Sequence, residues 1–549
     1  MARATYLAPG VYVEEVPSAQ QPIAGVGTNT VGFIGIVPDV IYYPEDNPDY
    51  DPVMAQAAVI LSQRGTGDNE ATRGAKAQLE AESERLKGEI KKLDEETIPA
   101  AEKRVTDAGN DTERNRAQSA LERIKDRRRD RDVEQKEVQT KLAGTQPAAN
   151  AEVNESDLLR PSILKPFLLR RFKVEVEPFS AKLCTNFTEY TNRFGSFRAE
   201  FPEPVPNLGE VKELVASTHR ALTHAVYGFF KNGGTRCFVS RIKNVSQLKK
   251  ALDVFESIDV IAIIAAPGLD GQANWDLLTS HCEKCEDRFA ILDCPAKVED
   301  NDGDLDINSL QYDTQPNVLP QRNKNAAFYF PYIEVVDPAK QLQDEDPALI
   351  PPVDPKYWGR LYVPPSGHIA GIYARTDEER GVHKAPANSA VLGALNVKYY
   401  VGKAKQELLN PQGVNCIRNI NGNITVWGAR TIGGDKNAEW KYINVRRFFL
   451  FLRESIDDGT QWVVFEPNDP ALWGKIRLNL GAFLTNVWRS GALFGLTPAE
   501  AFYVKCDAEL NPPEVRDLGM VVTEIGVAIV RPAEFVIFRI TQATGPRPS

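Results

Sequence analysis

The sequence is poor in the residues on which most site chemistry rests. Five histidines, seven cysteines and three methionines among 549 residues leave few metal ligands. The cysteines (Cys184, Cys237, Cys282, Cys285, Cys294, Cys416 and Cys506) are odd in number and irregularly spaced, which excludes a disulfide framework and suits synthesis in a reducing compartment. No G-x-x-x-x-G-K-S/T loop is present, so P-loop nucleotide hydrolysis has no support. Gly25-Val26-Gly27-Thr28-Asn29-Thr30 lacks the third glycine of a dinucleotide fingerprint and precedes a strand rather than a helix. A basic excess is also missing: 65 Lys and Arg stand against 75 Asp and Glu, a formal net charge of −10. That speaks against nucleic-acid binding and against a polybasic membrane anchor. The longest apolar run, near Val260–Pro267, is far short of the roughly 20 residues of a membrane-spanning helix. Met1–Val16 has no apolar segment of the signal-peptide kind, because Glu14 and Glu15 interrupt it. The expectation is cytoplasmic synthesis and assembly, without direct membrane insertion.

What is present is ordinary globular material, 42% hydrophobic and 26% charged, enough for two to four domains at roughly 100–200 residues each. The opening segment Gly10-Val11-Tyr12-Val13-Glu14-Glu15-Val16 has strand character but no hairpin partner, since Ser18–Asn29 is a loop of small and polar residues. Thr30–Val37 is apolar on both faces and reads as a central strand. Later patterns predict helices at Asn186–Arg193 and His219–Asn232, strands at Cys237–Ile242 and Val260–Ala266, a helix at Trp275–Asp287 and a strand at Phe289–Asp293, continued by Ala326–Val336. Such alternation predicts a doubly wound α/β layer with parallel strands. Further on, helices are predicted at Leu392–Gln406, Arg446–Asp457 and Asp469–Trp488, and strands at Val521–Val530 and Glu534–Thr541.

Between these regions the composition shifts. Residues 75–142 are rich in Glu, Lys, Arg, Ala and Gln. Leu79, Leu86, Ile90 and Leu93 keep a coiled-coil rhythm, and Leu121, Ile124, Val138 and Leu142 repeat it after an interruption at Pro99. This predicts a protruding helical hairpin, read either as a solvated pair or as a docking element.

Candidate chemistry is thin. His281, Cys282 and Cys285 with Cys294 lack the second C-x-x-C pair of a structural zinc site. Ser366 in Pro364-Pro365-Ser366-Gly367-His368 has no G-x-S-x-G elbow around it. Asp377-Glu378-Glu379, between Arg375 and Arg380, offers either a divalent-cation site or salt bridges. An α/β hydrolase-like or metal-dependent enzyme is therefore the alternative reading, and no catalytic, metal or cofactor residue is assigned.

In order along the chain, several blocks resemble the contractile tail sheath family of myophages, R-type pyocins and extracellular injection systems. They are Leu7-Ala8-Pro9-Gly10-Val11-Tyr12-Val13-Glu14-Glu15; Val226-Tyr227-Gly228-Phe229-Phe230-Lys231-Asn232-Gly233-Gly234; Pro364–Asp377 with Lys384–Asn388; Leu409-Asn410-Pro411; Val426–Thr431; Phe465–Asn468; Trp488–Leu493; and Pro532-Ala533-Glu534-Phe535. The resemblance implies a discontinuous inner domain built from both chain ends, a subtilisin-like α/β middle domain and, here, an inserted helical hairpin. Expected boundaries are 1–37 for the N-terminal arm and first strand of the inner domain, 38–178 for the insertion with its hairpin at about 75–145, 179–369 for the middle domain and 370–549 for the C-terminal inner domain and arm. It also implies self-assembly into a helical stack of rings, hexameric in the family, around an inner tube protein, with baseplate and terminator proteins as further partners. The arms exchanged between subunits are expected at Val11, Tyr12, Val13 and Glu14 and at Val536, Ile537 and Phe538. Tube contact is expected from Lys475, Arg477 and Arg489. One chain carries both ends of the pattern, which separates it from type VI secretion sheaths, where two polypeptides share them. The final location implied is a virion tail or a contractile injection particle.

Overall fold

A computed structural model describes residues 23–46, 50–63, 70–142, 167–197, 219–341 and 359–535. Its centre is a nine-stranded mixed sheet ordered β11-β14-β13-β8-β7-β6-β1-β5-β4. Strands β13 (Val414–Ile420), β8 (Ala326–Phe330), β7 (Phe289–Asp293), β6 (Ile263–Ala265), β1 (Val31–Ile36) and β5 (Cys237–Ile242) run parallel to their neighbours. Antiparallel strands close both edges: β4 (Lys182–Cys184) on one side, β14 (Asn423–Val426) and β11 (Ser389–Ala390) on the other.

Alternate residues of β1 enter two different cores. Val31 and Phe33 pack with Phe229, Ile369 and Tyr373 on one face, and Ile34 packs with Phe255, Trp275 and Phe328 on the other. Burial on both faces is what a strand without polar alternation demands. It also places β1 differently from the sequence reading. The first strand was expected in the inner domain, yet it pairs with Cys237–Ile242 and Ile263–Ala265 at the centre of the α/β sheet. The sheet likewise runs past the expected boundary at residue 369, because β11, β13 and β14 belong to it.

Helix Arg220–Lys231 and helix Ser366–Arg380 cover one face. They meet backbone to backbone through glycines of the recognisable blocks. A Cβ at Gly367 would lie 2.3 Å from the Ala225 backbone, and one at Gly371 would lie 2.5 Å from the Phe229 carbonyl. Glycine is required here for close approach. Helices Leu248–Phe255 and Gln272–Cys285 cover the other face.

Two predicted stretches turn out differently. Leu392–Gln406, expected as a helix, holds β12 (Ala394–Val397) followed by helix Lys403–Leu409. β12 is recruited by β9 (Ile333–Val336), which also pairs with β10 (Arg360–Val363), so the sheet partner overrides a weak local pattern. Ala326–Val336, expected to continue the α/β layer, does so only through β8, while β9 belongs to this three-stranded sheet.

The insertion is carried on a ribbon. Strands β2 (Val40–Asp46) and β3 (Phe167–Lys173) pair antiparallel from Val40↔Lys173 to Asp46↔Phe167. Beyond them stand helices Glu70–Lys92, Ile98–Thr106 and Asp111–Leu142. The seam read from sequence is the buried one: Leu79 and Leu86 are fully buried, Ile90 and Leu93 nearly so, and Val138 meets them from the returning helix. Pro99 does not end the first run as expected. A π-helical turn at Leu93–Thr97 leads into Ile98–Thr106 with Pro99 in its first turn, where the missing N–H costs nothing. The turn falls at 107–110 instead.

The C-terminal region packs helix Ile443–Thr460 and helix Pro470–Arg489 with a two-stranded sheet of β15 (Phe502–Lys505) and β16 (Glu524–Val527). Asp469 caps the second helix by accepting the Leu472 N–H at 2.8 Å. Residues 534 and 535 pair with no strand among the described residues, and the rest of the predicted Glu534–Thr541 strand lies outside them.

Candidate functional site at the roots of the chain ends

Ile23 begins the described chain and is already held. Its N–H donates to Asn479 Oδ1 at 3.3 Å, and its side chain is buried against Gly459, where a Cβ would lie 2.5 Å from it. The Val26 N–H donates to Ser455 Oγ at 3.1 Å. Thr28 Oγ1 donates to Asp377 Oδ2 at 2.7 Å, and the Arg447 guanidinium donates to the Thr28 carbonyl at 2.9 Å. Arg447 also donates to both Asp377 oxygens and lies over the Tyr373 ring at 4.7 Å. The root of the N-terminal segment is thus seated on three helices. Of the two readings of the Asp377-Glu378-Glu379 run, the structure shows the salt bridge at Asp377, while Glu378 and Glu379 are exposed.

A second node holds the other end. Arg430 donates from Nε and a terminal nitrogen to the two oxygens of Glu534, both at 2.8 Å. The same carboxylate accepts from Asn410 Nδ2 at 2.8 Å and from the Tyr442 hydroxyl at 2.9 Å. Arg430 also reaches the Asn410 carbonyl and Asp435, each at 2.9 Å. Burial alone would raise the Glu534 pKa, but Arg430 and Asn410 hold the carboxyl below its ordinary value. Three of the blocks quoted above, around Asn410, Arg430 and Glu534, therefore meet in one cluster. The blocks are visible in the sequence but nothing in them marks the roles of Asn410, Arg430 and Glu534, and Asn479 and Ser455 carry no local signal at all. Just past the node, Phe535 is exposed. The predicted arm residues Val11, Tyr12, Val13, Glu14, Val536, Ile537 and Phe538 lie outside the described residues.

The predicted tube-contact residues share a helix but not one face. Lys475 and Arg489 are exposed in line with Leu478, which is 70% exposed. Arg477 is exposed too, but its guanidinium donates to the Cys506 carbonyl.

Ser366 and the cysteine group have structural surroundings. Ser366 Oγ and N–H donate to Asp293 at 2.7 and 2.8 Å, at the start of helix Ser366–Arg380. His368 is buried against Gly228, and burial lowers its pKa to about 3. Cys282 and Cys294 are buried in the second core, and His281 lies 3.8 Å from Cys285. No group of three metal-ligating side chains occurs among the described residues.

Residues 246–432 match the phage tail sheath protein central domain, and residues 435–543 match the phage tail sheath C-terminal domain, together more than half of the chain. The chain belongs to the contractile tail sheath family. Both end nodes lie largely within these stretches. The tail sheath protein of Vibrio phage KVP40 is 29% identical over 181 residues, 32% of this chain and 26% of that protein. A putative prophage major tail sheath protein of Pseudomonas aeruginosa is 27% identical over 183 residues, 32% of this chain and 45% of the relative. The chain thus aligns with less than half of the length of these curated relatives. Solved members align more completely. A chain of the anti-feeding prophage baseplate is similar with TM-score 0.53 and 28% identity, covering 68% of this chain and 90% of that one. A chain of the PVC sheath complex, an extracellular contractile injection system in its contracted state, gives TM-score 0.52 and 28% identity, covering 67% and 88%. Among the described residues no helix is long and apolar enough to cross a membrane.

Proposed function

We propose that the chain is the structural subunit of a contractile sheath that polymerises helically around an inner tube and contracts to drive the tube through a target envelope. The observation that carries this reading is the likeness over nearly nine tenths of a sheath chain in its contracted state. In this reading no bond is made or broken by the protein. The stroke draws on the difference in packing between a metastable extended lattice and a stable contracted one, so no nucleotide site is needed. The partners are further copies in stacked, hexameric rings, the inner tube, a baseplate and a terminator; the completed particle is a virion tail or an injection particle assembled in the cytoplasm. Lys475, Arg477 and Arg489 remain the proposed tube contacts.

Copies are linked by their chain ends. Residues 1–22 and 536–549 continue the sequence beyond the two anchored nodes, and β15–β16 is a two-stranded sheet to which no further strand is added among the described residues. Strands supplied by neighbours would complete it by β-augmentation, giving a strong main-chain link. Packing of Ile23 into the core of helix Pro470–Arg489 supports an inner domain that draws on both ends of the chain. The parallel order with helices on both faces supports the subtilisin-like description of the middle domain. Deleting Met1–Pro17 tests the linkage: a folded chain that no longer forms tubes in negative-stain images is expected, and normal tubes would refute arm exchange.

A further inference from the structure

A cleft of about 350 Å³ lies beside the C-terminal node, lined by Arg322, Lys324 and Lys436 with Asn323, Asn437 and Glu283. Its charges are unevenly used. Glu283 accepts from Asn323 Nδ2 at 2.8 Å. Arg322 donates to the Gly433 carbonyl at 2.9 Å and to Gln412 at 3.2 Å, with its guanidinium 4.0 Å from the centre of the Tyr312 ring. Lys324 and Lys436 are exposed, and among the described residues neither has an ion-pair partner. Lys324 lies 5.9 Å from the centre of the Trp440 ring and acts electrostatically on Glu286. The cleft therefore presents, in a concave setting, two ammonium groups that form no ion pair among the described residues.

The opposite feature stands at the other end of the same strands. Glu299 and Leu305 form a bridge that closes a small hairpin, and Asp300, Asp302 and Asp304 within it are exposed. Asp300 fixes the turn by accepting from the Asp302 and Asp304 N–H groups, both at 3.0 Å. At its base Glu299 is 3.7 Å from Lys398 and is also acted on by Lys297. Asp302 and Asp304 have no cationic partner among the described residues.

The two cannot meet within one molecule. The cleft lies at the start of β8, where Ile432 and Gly433 donate to the Ala326 and Asn323 carbonyls. The hairpin lies at its end: Val298 donates to the Tyr399 hydroxyl, and the Tyr399 ring stacks on Phe330, the last residue of β8. A strand of this length holds them roughly 16 Å apart at about 3.3 Å per residue. We infer that the Lys324–Lys436 cleft receives the acidic hairpin Glu299–Asp306 of a second copy. Such a contact joins unlike surfaces and so repeats head to tail, into a ring where the rotation closes and into an open helical polymer where it does not. It rests on the reading of the chain as a self-assembling subunit. The chain's own C-terminal segment is a poorer match, since residues 536–549 carry Arg539 and Arg547 and no acidic side chain.

Charge exchange tests it. Lys324→Glu with Lys436→Glu, and separately Asp302→Lys with Asp304→Lys, alter exposed side chains, so circular dichroism should match the parent. Each pair alone should lower the sedimenting polymer fraction at least about tenfold, because like charges then face each other, and the four changes together should restore most of it. No effect of either pair, or no rescue by the combination, would overturn the contact. An effect of the cleft pair alone would also overturn it, and would assign the cleft to another acidic occupant. A parent chain that never polymerises would instead refute the sheath reading itself.

Discussion

Arg447 and Asp377 form a bidentate pair at 2.9 and 2.6 Å in which both side chains are almost wholly buried. Removing one partner leaves the other charge buried and uncompensated, at a cost of about 3–5 kcal/mol. Arg447→Met should therefore lower the denaturation midpoint strongly and free Thr28, giving protease access near residue 28 in limited digestion. Adding Asp377→Leu should recover part of the loss. A single variant as stable as the parent would refute the assignment.

Glu534 differs because it lies at the edge of the body. Glu534→Ala removes the acceptor shared by Arg430, Asn410 and Tyr442 but deletes little buried apolar surface. Thermal unfolding should shift only slightly while polymer formation falls sharply, since the C-terminal segment loses its fixed origin. Equal losses in folding and assembly would mean that the node is structural only.

How much of this was legible follows from where the signal lies. Val31–Ile36 and Phe289–Asp293 were readable as strands because a run apolar on both faces has few other solutions. The Leu79 and Leu86 seam was readable because a helix repeats its own face. Leu392–Gln406 misled because Leu392 and Leu395 look like core residues yet are 44% exposed, while β9 dictates strand pairing. The nodes were out of reach: Glu534 meets Arg430 across 104 positions and Asn410 across 124. No local period encodes such a meeting.

Asp293 gives a pH prediction. Burial raises its pKa to about 7, opposed by the bonds from Ser366 and Gly268. The folded state thus favours the protonated form. That contribution is fully present below the ordinary carboxylate range and is lost as pH rises from about 4 through about 7. Asp293→Asn should remove this slope, so the difference in melting temperature, variant minus parent, should grow in the variant's favour between pH 4 and pH 8. A constant difference would contradict it.

The helical insertion should be separable. Because Asp46 and Phe167 face each other in register, residues 47–166 can be replaced by an Asn-Gly turn that closes the ribbon. The shortened chain should fold and still polymerise. Within the full chain, Leu86→Ala should destabilise only the hairpin, by about 2–4 kcal/mol, seen as faster hydrogen exchange confined to residues 70–142.

The position of β1 has a consequence for biosynthesis. Val31–Ile36 pairs with strands that begin at Cys237 and Ile263, about 200 residues further along. At roughly 5–20 residues per second, a ribosome needs on the order of 10–40 s to supply them. Meanwhile the helical insertion, whose contacts are close in sequence, can fold first. A strand that is apolar on both faces thus waits unpaired beside an already finished element, a window in which chaperone capture or premature association between nascent chains would compete with folding.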